Sequence, residues 1–282
     1  MFPKSISEMS PTARLIYTLS VPVVLLIWLL PLLGVAMTSI RPASDLAAGN
    51  YFGVPSTFAF DNYLAVFTGT PLARYMLNSL VITLPTVAGA LVLSTLAGFA
   101  LAVYNFRLNI LLFVMFVAGN FVPFQILMVP VRQLTLQTGL YDSIAGLVVF
   151  HIAFQTGFCT LFMRNFIKAL PTALIESARV EGVSEWRIFV FIVVPLVRPA
   201  IAALSVLVFT FVWNDYFWAT VLVQSNDVMP VTAGLHALKG QWVAAWQLVA
   251  AGSIVAAIPP AIMFILMQKH FVAGLTLGAT KG

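Results

Sequence analysis

ESARVEGVSEWRIFVFIVVPLVRP, residues Glu176 to Pro199, is a charged island in a chain that is otherwise largely lipid-soluble. The chain carries 14 Lys and Arg and 9 Asp and Glu, and eight of these 23 charges lie between Arg164 and Arg198. Hydrophobic residues make up 61% of the 282 residues and charged residues only 8%, whereas a soluble domain carries about 25% charged. So few charges cannot cover a water-facing surface. The chain therefore reads as an all-α, polytopic membrane protein, and its length counts spans. A membrane chain that gathers its charge into one loop presents that loop to something in water.

Outward from the island, six segments reach the roughly 20 apolar residues that a spanning helix needs. They run over residues 15–39, 76–104, 109–129, 143–163, 199–223 and 244–268. The first is too long for a signal-peptide core and lacks a convincing cleavage site, so it is expected to be retained, with secretory cleavage as the alternative. The division is then a short N-terminus (1–14), a six-helix domain (15–268) with the charged loop at about 164–198, and a tail (269–282). Six spans put both termini on one side, with Lys4, Arg14, Arg107, Arg164, Lys168, Arg179, Arg187, Arg198, Lys269 and Lys281. Arg41, Arg74, Arg132 and Lys239 fall on the other. That bias predicts cytoplasmic termini and a cytoplasmic island. The loop from Arg41 to Arg74, with YFGVPSTFAFDNY, is then outside and suits an interface. The thinly spread basic charge reports topology and no nucleic-acid partner. Cys159 sits in an apolar run and reads as a packing residue. Pro22, Pro31, Pro85, Pro123, Pro259 and Pro260 fall inside spans, where each tends to kink its helix.

Within the island, Pro171 suits a first helical turn, and TALIESARVE reads as two to three turns. Gly182 is placed for a left-handed C-cap. Ser184 can N-cap a second helix, with Val183 and Ile188 as its hydrophobic staple. Pro195 and Pro199 punctuate the way into the fifth span. The first helix is too short to stand alone in water. It either docks on a partner or lies amphipathically on the lipid surface. Leu174 and Ala178 share a face, Glu176 and Arg179 are neighbours at i, i+3, and small Ser177 and Ala178 permit close approach.

Glu176-Ser177-Ala178, Glu181-Gly182-Val183, Phe189, Ile192, Pro195 and Pro199 together resemble the EAA loop of ABC-importer permeases. Ser177 stands for the usual second Ala, and Glu181 for the usual Asp. Trp213-Asn214-Asp215-Tyr216-Phe217 resembles the WND-F step of the carbohydrate-uptake permeases. The tail from Phe271 to Gly282 resembles their F-x-x-G-x-x-x-GAVKG ending, with Thr280 for Val, and Asn78-Ser79-Leu80 also fits. The resemblance covers about residue 76 to the end and points to the shorter permease of a maltose-system-like, type I importer.

What this implies is an inner-membrane transport subunit, no enzyme itself, with ATP and Mg bound on two cytoplasmic ATPase subunits. A second permease, a heterodimer partner, and an extracytoplasmic solute-binding protein are also implied, within membrane lipid. The coupling residues carried over are Glu176, Ser177, Ala178, Glu181, Gly182, Pro195 and Pro199. The chain itself lacks G-x-x-x-x-G-K-[ST], and its His151, His236, His270 and Cys159 are too scattered for a metal set. The candidates for the substrate path are Trp213, Asn214, Asp215 and Trp218, since polar groups at membrane depth face protein or water. Packing or an interfacial position also explains Asp215. Asn120, Gln125, His151 and Gln155 are weaker candidates, explicable as interhelical hydrogen bonds. The alternative function is an ion-gradient-driven secondary transporter with Asp215 and His151 as carriers.

Overall fold

The computed structural model describes residues 10–238 and 245–279, with side chains placed through Gln268. Lys4, Lys239, Lys281, and the side chains of Lys269 and of the tail motif from Phe271 lie outside the described residues. Every regular element among the described residues is helical. In chain order these are α1 (Pro11–Ser39), α2 (Ala43–Ala47), α3 (Asn62–Thr68), α4 (Leu72–Val103) and α5 (Asn109–Gly119). A 3₁₀ turn (Phe124–Leu127) leads into α6 (Met128–Gln137), followed by α7 (Ile144–Lys168) and α8 (Thr172–Val180). Then come α9 (Glu185–Arg187), a π-helical segment (Ile188–Val193), α10 (Val194–Leu196), α11 (Arg198–Trp213), α12 (Phe217–Leu222), α13 (Val231–Ala237) and α14 (Trp246–Ala279).

Four of the six expected spans are single helices, and the other two are bent or broken. Four helices, α1, α4, α7 and α14, are long and apolar enough to cross a membrane unbroken. The third span breaks between α5 and the Phe124–Gln137 stretch, which are bent by 93°. Pro123 stands at the start of the second piece and cannot donate to the helix before it. The fifth ends at Trp213 and resumes as α12 after a three-residue break. Prolines 22, 31, 85, 259 and 260 stay inside continuous helices. Most unbroken helices overrun their apolar cores, α4 beginning at Leu72 and α7 ending at Lys168. Hydropathy marks the membrane-embedded part of a helix, not its ends.

The chain divides into two compact units, Met1–Thr70 with Leu238–Val255, and Pro71–Ala237 with Ala256–Gly282. In the first, Ser10 caps α1 by accepting from the Ala13 N–H at 3.3 Å. The side chains of α1 are exposed from residue 11 to 35, as befits a helix whose surroundings are lipid. The loop that follows is organised by Arg41, only 1% exposed. Its guanidinium donates to Asn50 O (2.8 Å) and Gly53 O (2.6 Å), with the Asp45 carboxylate 3.7 Å away. Asp45 accepts from the Ser56 hydroxyl and N–H. These bonds, aided by Arg41, hold its carboxyl below the usual carboxylate range. Asn62 ties the loop back through Ser39 O and Arg41 O. Phe52, Val54, Phe58 and Phe60 remain exposed on it.

In the second unit, α4 packs on α7 and α11 around Ile82, Leu91, Phe99, Cys159, Met163, Leu204 and Val208. Cys159 is fully buried, as its apolar setting predicts. Gly98 makes the closest approach possible. A Cβ there would lie 2.9 Å from both Arg164 N and Met163 Cβ on α7. Small residues at helix crossings let backbones approach, which is the main source of attraction between helices in lipid. Asn78 donates to Asp227 O and Met229 O, and Ser79 accepts from the Val231 N–H, so the polar opening of α4 fixes the entry to α13. Asp142, in the left-handed region at φ 53°, ties the α6–α7 loop to the end of α12. Its N–H donates to Leu222 O, and its carboxylate accepts from the N–H groups of Gln224 and Ser225. The Ser225 bond first, then that of Gln224, holds the Asp142 carboxyl below its ordinary range.

Gly98→Val forces α4 and α7 apart. It should cost about 1–3 kcal/mol, seen as a lower thermal midpoint of the purified chain in detergent. Asp142 has a depressed folded pKa. Its stabilisation is therefore complete above the unfolded aspartate value of about 4 and is lost as pH falls through the lower folded one. Asp142→Asn should flatten the acid limb of the melting-temperature profile; an unchanged slope would show that the clamp contributes nothing.

Candidate functional site

The charged loop folds as two short helices around a glycine turn. At the end of α8 the Gly182 N–H donates to Arg179 O and the Val183 N–H to Ala178 O, both at 3.0 Å. Gly182 has φ +78°. These are the paired bonds of a Schellman motif, which needs a left-handed residue at this position. A Cβ on Gly182 would meet nothing within 4 Å. Only backbone conformation within this chain restrains the position, and its face is open to a partner. Ser184 adopts extended backbone and its carbonyl accepts from Ile188 N, but its hydroxyl makes no cap bond. The cap expected there is therefore a backbone cap only.

The loop is seated rather than free. Ile175 and Ala178 are buried and join the core with Ile167, Phe99, Ile188 and Phe189. The Ala178 side chain faces this chain's own core, so it sets how closely α8 is seated. Leu174 is 42% exposed and Val180 88% exposed, so the outward face runs through Leu174, Ser177, Val180 and Glu181, with Glu176 also exposed. The Ser177 hydroxyl donates back to Leu174 O. Glu176 and Glu181 make no ion pair among the described residues. Arg179 does not turn to its helical neighbour Glu176. Its Nε and Nη2 donate to Glu185 at 2.7 and 3.1 Å. The Tyr104 hydroxyl donates to the same carboxylate at 2.6 Å, and Arg179 also lies over the Tyr104 ring. Glu185 holds the Arg179 guanidinium above its ordinary range, so the cation is permanent. Arg179, Glu185 and Tyr104 thus lock α8, α9 and the end of α4 together, a constellation the loop motif does not include.

Beyond α9 the chain widens into the π-helical Ile188–Val193 segment. Pro195 lies just after it and cannot donate an N–H back to that turn. Pro199 occupies the first turn of α11, where a missing donor is harmless. The axis bends by 73° between Glu185–Leu196 and α11. α8 is thus joined to α11 through a sharp elbow.

At the other end of α11 lies a cavity of about 790 Å³ between α7, α11 and α12, with Phe124 and Phe264 on its wall. Asp215, Asn214 and Trp218 line it, as do His151, Gln155 and Tyr216. Trp213 is not among the residues lining it. It is 2% exposed, stacks on Phe209 with centroids 5.6 Å apart, and donates its indole N–H to Ala256 O at 3.0 Å. Asp215 carries structure as well as charge. Its carboxylate caps α12 by accepting from the N–H groups of Trp218 (3.2 Å) and Ala219 (2.9 Å), and its carbonyl accepts from the Thr232 hydroxyl. His151 Nε2 stands 3.5 Å from the same carboxylate.

Gln155 is 7% exposed, and its side chain makes no hydrogen bond among the described residues. The Asn214 side chain is likewise unpaired, although more open. Both amides line the cavity and are open to it. Of the weaker candidates, His151 reaches across to Asp215, whereas Asn120 and Gln125 behave differently. Asn120 donates to Phe116 O of its own helix, and Gln125 is exposed. Aromatic rings pack the wall, Phe150 against Trp218 at 4.1 Å and Phe124 against Phe217 at 5.1 Å. Sequence alone ranks Gln155 low because spacing does not tell which face α7 turns to α11 and α12. Among the described residues no group of His, Cys, Asp and Glu forms a metal site.

Residues 90–276 match the family model described as binding-protein-dependent transport system inner membrane component. The chain is 32% identical to the arabinooligosaccharides transport system permease protein AraQ of Halalkalibacterium halodurans, over 97% of this chain and 98% of that one. It is 35% identical to the osmoprotective compounds uptake permease protein GgtD of Synechocystis, over 90% and 88%. Its fold matches a chain from the crystal structure of a bacterial ABC transporter involved in the import of the acidic polysaccharide alginate, with TM-score 0.79 and 21% identity over 96% and 100% of the two chains. A seated loop with an open glycine turn, an elbow at the π-helical segment and a lined cavity at the far end of one helix thus stand in a chain that belongs to the inner membrane components of binding-protein-dependent transport systems, the permeases of ABC importers.

Proposed function

We propose that this chain is one permease of a heterodimeric pair that moves a carbohydrate across the inner membrane, driven by two ATPase subunits bound to the 164–198 loop. The observation that carries the reading is the seating of α8. Its inner face is held by Ile175, Ala178 and the Arg179–Glu185–Tyr104 lock, while its outer face and Gly182 are left open. A lever needs both a fixed side and a free side. Glu176, Ser177, Glu181 and Gly182 form the free side that meets the ATPase. Ala178 sets the seat, and Pro195 and Pro199 shape the elbow into α11. ATP and Mg belong to the partner subunits. Both termini and the loop face the cytoplasm, in keeping with the excess of Lys and Arg on that side. An extracytoplasmic binding protein delivers substrate to the opposite face.

Carbohydrate is supported by the cavity chemistry and by the oligosaccharide named for the AraQ relative. Free amides of Gln155 and Asn214 suit hydroxyl groups, and the ring faces of Phe154, Phe217 and Trp218 suit the C–H faces of a sugar. The His151–Asp215 contact brings together the two groups that a proton-driven carrier would use. In the present reading that contact holds the mouth of α12, since both Asp215 oxygens already cap it.

Reconstitution with the partner subunits in proteoliposomes tests both ends. Gly182→Val, at a left-handed position, should cost about 1–3 kcal/mol of local strain and uncouple transport from ATP hydrolysis without loss of membrane insertion. Gly182→Asn, which tolerates that conformation, should keep the turn and retain coupling unless the partner touches the new side chain. Uptake that survives Gly182→Val and ignores ATP would overturn the coupled-import reading. Gln155→Ala should raise the transport KM about tenfold, the loss of one or two ligand hydrogen bonds, with complex yield unchanged. Asp215→Ala removes a cap worth about 1 kcal/mol and should lower yield as well as uptake, so Gln155 is the cleaner probe of the path.

A further inference from the structure

A second cavity, of about 430 Å³, lies at the end of the bundle where α4 gives way to α5 and where α7 ends. Arg107, Arg164 and Lys168 line it together with Asn105, and no carboxylate is among its lining residues. Arg164 is the decisive group. It is 7% exposed, its Nε donates to Leu101 O at 3.2 Å, and its guanidinium lies 3.9 Å from the centroid of the Phe113 ring. No ion pair reaches Arg164, Arg107 or Lys168 among the described residues. The two terminal nitrogens of Arg164 accordingly have no acceptor among the described residues and open onto the hollow.

A guanidinium taken out of water without an anion is costly. Three cations around one hollow also repel each other. Both costs fall if an anion sits between them. Ring stacking and the Leu101 bond fix the Arg164 plane, and a fixed guanidinium offers its free edge to two oxygens at once, the geometry that suits phosphate. The rim supplies the remaining information. Phe106 and Ile110 line the same cavity, and both are exposed, so apolar surface adjoins the charged hollow where α5 begins. A polar head with an attached apolar tail matches that pattern.

We propose that this cavity binds a phosphate group, supplied by an anionic phospholipid whose acyl chains lie along Phe106 and Ile110. The site stands apart from the outer face of α8 and from the large cavity, and it holds whatever the cargo is. Because it joins the end of α4 to the end of α7 beside the seat of α8, its occupant braces the base of the lever.

The test uses the purified full chain, stripped of lipid in neutral detergent. Phosphatidylglycerol, phosphatidylcholine and inorganic phosphate are added separately. Retained lipid is counted by native mass spectrometry, and the melting temperature is followed. Phosphatidylglycerol should be retained and raise the melting temperature, while phosphatidylcholine should not. Arg107→Gln with Lys168→Gln, both at exposed positions, should weaken phosphatidylglycerol binding about tenfold, and Arg107→Lys with Lys168→Arg should preserve it. Protection by inorganic phosphate equal to that by phosphatidylglycerol would keep the anion site and overturn its lipid source. Equal retention of the two lipids, or wild-type affinity in the Gln variant, would overturn the site itself.

Discussion

Within a bilayer every backbone N–H and C=O must be satisfied by the protein, because lipid offers no partner. The rest of this structure follows from that constraint. Unbroken helices satisfy it along most of their length, and α1, α4, α7 and α14 do so except at their ends and at the prolines inside α1, α4 and α14. At several interruptions a specific group replaces the lost bond. Asp215 takes the first N–H groups of α12. Asp142 takes those that follow it. Gly182 permits the paired bonds that finish α8. Such replacements are costly to arrange, and the interruptions in this chain fall beside its cavity and in its charged loop.

The loop shows how a short helix can be rigid and yet available. Nine residues of α8 are too few for stability in water alone, and burial of Ile175 and Ala178 supplies what propensity does not. The Arg179–Glu185 bond has geometry that an isolated surface pair lacks, two parallel contacts plus a shared tyrosine hydroxyl. A network of this kind specifies one arrangement of α8 against α9, even where each surface bond contributes little to overall stability. α8 and α9 are thereby held as one body up to the elbow before α11.

At the membrane end, the same economy appears in Asp215. One carboxylate caps a helix, meets His151 and borders the cavity. Packing and path, two readings open for this residue from sequence, are compatible in one structure. Its oxygens are engaged by backbone donors, so the groups left free for a ligand are the neighbouring amides. Trp213, adjacent in sequence and part of the same motif, points the other way and secures α11 to α14.

Much was legible in the residues alone. Composition establishes a helical membrane chain, because 8% charge cannot face water. The spacing from Glu176 to Pro199 determines the loop and its glycine turn, because local backbone chemistry needs no distant partner to make a left-handed cap. The run of apolar residues locates the four unbroken spans. Helix breaks inside spans three and five were not legible, since Pro85 and Pro259 are tolerated where Pro123 is not, and surrounding packing decides which. Nor does spacing tell that Ala178 faces inward, that Arg179 prefers Glu185 to Glu176, or that Gln155 borders a cavity while Trp213 does not. Those outcomes depend on which face each helix turns to its neighbours, and that phase is set by contacts between residues far apart in the chain.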